Sequence, residues 1–271
     1  GEGMIPVYNY MSVDHAYLRT TLLGSLLETL AANLRHRERA YLFELARVYL
    51  PPLAPLPAEP LRLALVFAGS REPLAWNTSR EPGDFFDLKG AVEAVLAALR
   101  VAEVRFVATQ HVTFHPGRCA AVVAGADGAQ LGILGQVHPR VAERFDLGGR
   151  AVYAAELDFD ALVRRAGEAP PFQPLPRFPG VAIDLAVVVD EAVPEAEVAA
   201  AIRAAGAPLL AELRLFDVYR GAPVPPGRKS LAYALLYRAP DRTLTDAEAA
   251  AVQATIEAHL RERFGATIRG R

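Results

Sequence analysis

The sequence predicts an α+β protein in two parts, and three observations carry the prediction. Up to about residue 166, short runs suited to strands outnumber the helical stretches, the mark of a mainly antiparallel sheet with a few long helices. From about residue 180 the patterns fall in the order β-α-β-β-α-β. Between them lies "GEAPPFQPLPRFPG", residues 167–180, a proline-rich stretch with a complete set of patterns on either side. The expected division is therefore a first domain over 1–166, a linker over 167–179 and a second domain over 180–271.

In the first part, Leu23, Leu26, Leu27, Leu30 and Leu34 recur at helical spacing, so residues 20–35 form an amphipathic helix. "YLFELARVYL" alternates and carries aromatic and β-branched residues, as strands do. "LRLALVFAGS" is a second strand, and "PPLAPLPAEP" (51–60) before it reads as a stiff loop. "FDLKGAVEAVLAALRV" is a helix with Val92, Val95, Leu96 and Leu99 on one face, and "EVRFVATQ" follows as a strand.

Residues 114–139, "FHPGRCAAVVAGADGAQLGILGQVHP", gather two His-Pro pairs, the chain's single cysteine and several glycines. A zinc site needs three or four ligands, and the usual ligand spacings are absent here. Glycines 125, 128, 132 and 135 do not follow phosphate-loop spacing. The plainer reading makes "HPG" a turn, "GADG" a hairpin connection, and Pro139 the first turn of the helix "RVAERFDL". Cys119, on an alternating apolar strand, is expected to be a small buried hydrophobe and not a nucleophile. "AVYAAELDFDALV" closes this part.

In the second part, "VAIDLAVVVD" is apolar on nearly both faces and suits a central strand. "PEAEVAAAIRAAG" is a helix with Val198, Ala201, Ile202 and Ala205 in line, Pro194 near its start and Gly206 past its end. "LAELRLFDVYRG" and "RKSLAYALLYRA" are strands joined by "APVPPG". Thr245 and Glu248 form a capping box for the last helix. Val252, Ile256 and Leu260 make its core stripe with His259 packed beside it, and Gly265 stops it. "ATIRG" remains as a short last strand. This order is the ferredoxin-like split βαβ arrangement.

Composition limits what the chain does. A net charge of -2 excludes a blanket polycation, so contact with nucleic acid requires a local patch. One cysteine makes no internal disulfide, and "GEGMIPVYNYMS" lacks the form of a secretory leader; both lead to a cytoplasmic expectation with no membrane partner. The "GEG" before Met4 reads as an expression scar. A patch does exist. Between Arg214 and Arg242 stand Arg214, Arg220, Arg228, Lys229, Arg238 and Arg242 against Asp217 and Asp241. Tyr219, Tyr233 and Tyr237 lie on the same two strands, and basic residues interleaved with aromatics suit RNA. Tyr233 and Tyr237 share a face with Leu231 and Leu235, which places them equally well in a core.

"LRTTLLGSLLETLAANL", "LFELARVY", "FFDLKGAVEAVLAAL", "HPGRCAAV" and "LGQVHPRVAERFDL" together resemble the catalytic-like domain of the bacterial phenylalanine–tRNA ligase β subunit. "RFPGVAIDLAVVVD", "LFDVYRG", "GRKSLAYALLYRAPDRTLTDAE" and "FGATIRGR" resemble its ferredoxin-fold anticodon-binding domain. The resemblance implies a degenerate class II synthetase core with an antiparallel sheet, followed by a ferredoxin-like domain. "FELARVY" lacks the Arg-x-Glu pattern of a working core, and "VYAAELDFDAL" lacks its late glycines and arginine. Without those cations a bound triphosphate stays uncompensated.

The implied role is therefore non-catalytic: docking the α subunit, which carries ATP and phenylalanine, and binding the anticodon region of tRNA(Phe). No cofactor is expected on this segment; ATP and Mg2+ belong to the whole enzyme, expected as a heterotetramer of two α and two β subunits. The tRNA contacts expected from charge and strand placement are Tyr219, Arg220, Arg228, Lys229 and Arg238. Ile183 stands where the family usually has an arginine, before Asp184, so a contact of that arginine does not transfer. The family's N-terminal part is absent, so the chain is either a piece of a longer subunit or a shortened paralogue. Two rival readings are an interaction or regulatory module without a charging role, and a chain that retains its own adenylate chemistry.

Overall fold

A computed structural model describes residues 4–12, 16–52, 55–172 and 175–269. Parts of both proline-rich stretches, residues 53–54 and 173–174, and the "GEG" start lie outside the described residues. The chain divides into two compact units, Gly1–Pro170 and Pro171–Arg271.

Unit 1 runs α1 (Leu23–Leu34), β1 (Ala40–Arg47), β2 (Leu61–Ala68), α2 (Phe85–Ala98), β3 (Val104–Ala108), β4 (Phe114–Ala124), β5 (Ala129–Val137), α3 (Pro139–Arg144), β6 (Val152–Asp158) and α4 (Phe159–Arg164). Its strands form one antiparallel sheet in the order β1-β2-β6-β5-β4-β3. Strand alternation sends successive side chains to opposite faces, so two cores form. Ala64, Val66, Val152 and Ala154 meet the leucines of α1 on one face. Leu63, Phe67, Ala155 and Leu157 meet Leu88, Val92 and Leu96 of α2 and Leu162 of α4 on the other.

The local causes are readable. Asp84 accepts hydrogen bonds from the Phe86 and Asp87 amides at 2.7 and 3.2 Å, and the Asp87 carboxylate accepts from the Asp84 amide at 2.7 Å. Together they close a capping box on α2. α1 has no such local cap. Glu156 of β6 supplies one instead, accepting from the Leu22 amide at 2.6 Å and the Thr21 hydroxyl at 2.8 Å. A carboxylate at a helix N-terminus is favoured by the helix dipole as well as by these donors.

Residues 114–139 carry one correction. His115, Pro116 and Gly117 do not turn the chain; they lie inside β4, where the pairing with β5 shifts register between Phe114 and Cys119. Proline has no N–H to give a ladder and is tolerated at such a bulge, and Gly117 takes the left-handed φ of 77° that the irregularity needs. The rest follows the sequence pattern. Gly125 and Gly128, at φ 73° and 61°, make the hairpin connection, and Pro139 opens α3. "VYAAELDFDAL" divides at Asp158, whose carboxylate caps α4 by accepting from the Ala161 amide.

Unit 2 runs β7 (Val181–Asp190), α5 (Glu195–Gly206), β8 (Leu210–Tyr219), β9 (Arg228–Tyr237), α6 (Asp246–Phe264) and β10 (Thr267–Arg269). Its antiparallel sheet has the order β10-β7-β9-β8, with β7 inside as its apolar character requires. Leu185, Val187, Leu231, Tyr233 and Leu235 share one core with Val198 and Ile202 of α5 and Ile256 and Leu260 of α6. Thr245 and Glu248 close the capping box, and Gly265 ends α6 at a left-handed φ of 57°. Gly206 is the last residue of α5, one position earlier than the pattern places it.

Candidate nucleic-acid interface

Directly paired residues on neighbouring strands share a face of a sheet. Since Leu185, Tyr233 and Leu235 turn toward α5 and α6, the alternate residues of unit 2 form an open face. Arg214 of β8 pairs with Ala234, which pairs with Asp184. Asp217, Ala232, Ala186 and Arg269 form the next row, and Tyr219 pairs with Ser230. The middle of this face is a floor of Ala186, Ala232 and Ala234 that lets a flat group approach the backbone, whereas Ser230 and its partner Val188 at the Tyr219 end are buried. Arg214, Tyr219 and Arg269 stand at its sides.

The residues singled out in the sequence do not all reach that face. Tyr219 does: it is 43% exposed, and its hydroxyl donates to the Ala222 carbonyl at 2.7 Å. Arg220 follows immediately and is exposed, with Nε 3.1 Å from both Glu191 carboxylate oxygens and Nη2 2.8 Å from one of them. That guanidinium holds the Glu191 carboxyl below the usual carboxylate range.

Arg228 is half-buried and donates through Nη2 to the Gly265 carbonyl at 2.8 Å, tying β9 to the negative end of the α6 dipole. Lys229 lies on the helix side, 8% exposed, with Nζ donating to the Glu191 carbonyl at 2.9 Å. There it fastens a loop instead of standing on the open face. Arg238 is half-buried, its backbone N–H donates to the Leu209 carbonyl at 2.8 Å, and its buried Nε has no hydrogen-bond partner among the described residues.

Sequence reasoning passed over Arg214 and Arg269 as contacts. For Arg214 a signal existed, because it falls between Leu213 and Leu215, which pack on the core. Arg269 is recognised only through the pairing of β10 with Ala186. The local positive charge is also spread differently from the sequence count. The two central rows carry Arg214 and Arg269 against Asp184 and Asp217, so the centre is electrically balanced, and exposed Glu212 opposite Leu236 adds one negative charge beside it.

Tyr233 and Tyr237 are core residues, each 0% exposed. Their hydroxyls donate to Glu195 Oε1 at 3.1 Å and Gln253 Oε1 at 2.7 Å. Burial first, then the Glu257 charge, pushes the Tyr237 phenol up to about 12, and burial with the Glu195 carboxylate raises Tyr233 further in the same direction. An unfolded tyrosine ionises near 10, so stability from these groups is complete below pH 10 and is lost as pH rises toward 12. Alkaline unfolding of unit 2, followed by circular dichroism, is expected to begin above pH 10 and to be less steep in Tyr237→Phe. Equal steepness in the variant rules the assignment out.

Unit 1 presents two further features. Tyr41, Phe43 and Leu45 stand in a row on the outermost strand, β1, and are 43%, 74% and 45% exposed. A cavity of about 490 Å3 beside the start of α2 is lined by Phe85, Phe86, Phe106 and Tyr153, with Arg118 and Asp84 as its charges. Arg118 already donates to Gln136 at 2.6 Å. One guanidinium facing a carboxylate does not fit a nucleoside triphosphate, whose charge requires several cations. Cys119 is 6% exposed, and burial raises its thiol pKa.

The family model described as "Phenylalanyl tRNA synthetase beta chain CLM domain" matches residues 1–159, and that of the "Ferredoxin-fold anticodon binding domain" matches 176–269. The chain belongs to the phenylalanyl-tRNA synthetase beta chain family. Similar relatives named phenylalanine–tRNA ligase beta subunit agree. That of Symbiobacterium thermophilum is 48% identical over 89% of this chain and 27% of its own length. Those of Moorella thermoacetica and Anaeromyxobacter dehalogenans are 45% and 47% identical, each over 98% of this chain and 33% of the relative. The chain thus spans a third or less of the synthetase beta chains it matches. Among the described residues no helix is long and apolar enough to cross a membrane.

Proposed function

We propose that this chain is a non-catalytic part of a phenylalanine–tRNA ligase β subunit, in the cytoplasm. Residues 180–271 bind the anticodon region of tRNA(Phe), residues 1–166 dock the α subunit, and 167–179 link them. The ATP-dependent joining of phenylalanine to tRNA takes place on the α subunit. The observation that carries this reading is the open face of unit 2, a small-residue floor beside an exposed tyrosine and flanking arginines, in a family described by anticodon binding.

The chemistry follows from that layout. A balanced, flat floor suits uncharged bases, and Tyr219 offers a ring for stacking. Phosphates fall to the rim, to Arg214, Arg220 and Arg269; Arg220 changes partner from Glu191 to do so. Arg228, Lys229 and Arg238 contribute by holding the frame. Docking of the α subunit is assigned to Tyr41, Phe43 and Leu45, an exposed apolar row that single-chain folding leaves uncovered.

Titrating tRNA(Phe) binding to this chain against salt tests the reading. Affinity is expected to fall steeply with salt, and Arg214→Ala to lower the log–log slope by about one. Tyr219→Ala is expected to weaken binding by about 1–3 kcal/mol at fixed salt. Salt-independent affinity discards the phosphate contacts, and an unaffected Tyr219→Ala discards the stacking.

A further inference from the structure

The segment before β4 and the start of α3 line a cavity of about 540 Å3 in unit 1 that the docking role does not use. Its polar lining is Gln110, His111, His138, Arg140 and Arg144, and no carboxylate takes part. His138 belongs to one of the two His-Pro pairs that stand out in the sequence. The other, His115, lies against it with ring centroids 6.4 Å apart, and its Nδ1 is engaged with the Pro116 carbonyl at 2.6 Å.

Local hydrogen bonds decide which nitrogen each lining histidine turns outward. The Arg140 amide donates to His138 Nδ1 at 3.1 Å, and the Thr113 amide donates to His111 Nδ1 at 3.3 Å. A neutral imidazole that accepts at Nδ1 carries its proton on Nε2. Both rings therefore offer an N–H donor, and no lone pair, to anything else that approaches. That excludes them as metal ligands in this state and suits an oxyanion. The Thr113 carbonyl accepts from the His138 amide at 2.8 Å, which ties the two histidine-bearing segments together.

The arginines add formal charge. Arg140 and Arg144 stand four residues apart on α3 and so share a side of that helix. Both are exposed, and among the described residues neither side chain has an ion pair or hydrogen bond. Some exposed arginines elsewhere, Arg35, Arg220 and Arg242, are held by carboxylates, and others, such as Arg37, Arg80 and Arg150, are free among the described residues; Arg140 and Arg144 differ from these in lining one cavity together. Two guanidinium groups without partners among the described residues, two oriented imidazole donors and the Gln110 amide line one cavity, and no acidic residue is part of that lining. Such a set matches a phosphate, which offers several acceptor oxygens and negative charge.

We propose that this cavity binds a phosphate group, and that the phosphate belongs to an RNA backbone. The second half of the statement rests on the reading of the chain as a tRNA-binding protein; the first half does not. Unit 1 then adds a contact to RNA beyond the sheet of unit 2.

The test uses the full chain. Inorganic phosphate is titrated while the imidazole nitrogens are followed by NMR. The Nε2 signals of His111 and His138 are expected to move while those of exposed His36 stay in place, and Arg140→Ala with Arg144→Ala to abolish the response. Both arginines are exposed, so an unchanged melting temperature keeps this variant interpretable. In tRNA binding, the same double variant is expected to lower the log–log salt slope by about one to two. Histidine signals that ignore phosphate overturn the proposal. Signals that respond, beside an unaltered tRNA salt slope, overturn RNA as the source and leave a small phosphate ester. Failure of the anticodon reading shows separately, as indifference of tRNA binding to Arg214→Ala and Tyr219→Ala while the histidines still respond.

Discussion

Phe67→Ala is expected to destabilise unit 1 by about 3–5 kcal/mol, the usual cost of deleting a fully buried aromatic ring. The ring is 1% exposed and lies between Tyr41 and Tyr153, with centroids 4.1 and 5.8 Å away. Its edge reaches so close to Gly83 that a Cβ built there would overlap Phe67 Cζ. Neighbours on an antiparallel sheet are fixed by the ladder and collapse poorly into the space left. Because domains are stable by only about 5–15 kcal/mol, the loss leaves unit 1 marginal. Gly83→Ala alone is expected to destabilise by overpacking, and in the Phe67→Ala background to cost far less, since the clashing ring has gone. Urea unfolding read from unit 1 amides measures both. Strict additivity of the two changes refutes the packing argument.

Much of this fold was legible because periodicity is local. The leucines of α1, the alternation of β1 and the capping box at Thr245 each announce themselves within a dozen residues, and each forms as its pattern predicts. What was hidden depends on distant partners. α1 carries no capping box; beside the local Thr21 hydroxyl, which accepts from the Leu23 amide, its carboxylate comes from Glu156, 134 residues away from Leu22. "HPG" has turn chemistry, yet the pairing of β4 with β5 absorbs it as a bulge. The exposure of Phe43 follows from β1 lying outermost in the sheet, and strand order is not written in any single strand.

The candidate sites divide the same way. Composition located a basic region between Arg214 and Arg242, but a one-residue step along a strand changes the face a side chain takes. Lys229 and Ser230 are neighbours in sequence; one fastens a loop on the helix side, and the other takes the opposite face, beside Tyr219. Two histidines 23 positions apart, His115 and His138, gave no ligand spacing in the sequence, and β5 brings their rings together. Sequence spacing was the wrong measure there because a hairpin, not a helix, sets the distance.

Phe43→Asp combined with Leu45→Asp is expected to weaken binding to the α subunit by about 2–4 kcal/mol, roughly 30- to 1,000-fold. A phenylalanine 74% exposed on an outer strand stabilises its own chain little, and an uncovered apolar edge invites non-specific pairing. Three such residues in a row, Tyr41, Phe43 and Leu45, make sense when a partner removes them from water. Carboxylates placed there would then be buried opposite apolar side chains, and burying an unpaired charge is far more costly than losing a contact. Since the native side chains are exposed, the double variant is expected to keep its own melting temperature. Phe172→Asp supplies the control, because Phe172 is equally apolar and 89% exposed but belongs to the other unit and to no strand of the unit 1 sheet. Sedimentation equilibrium with the α subunit reads the result. If both variants bind it with native affinity, the apolar row of β1 is not where the α subunit docks.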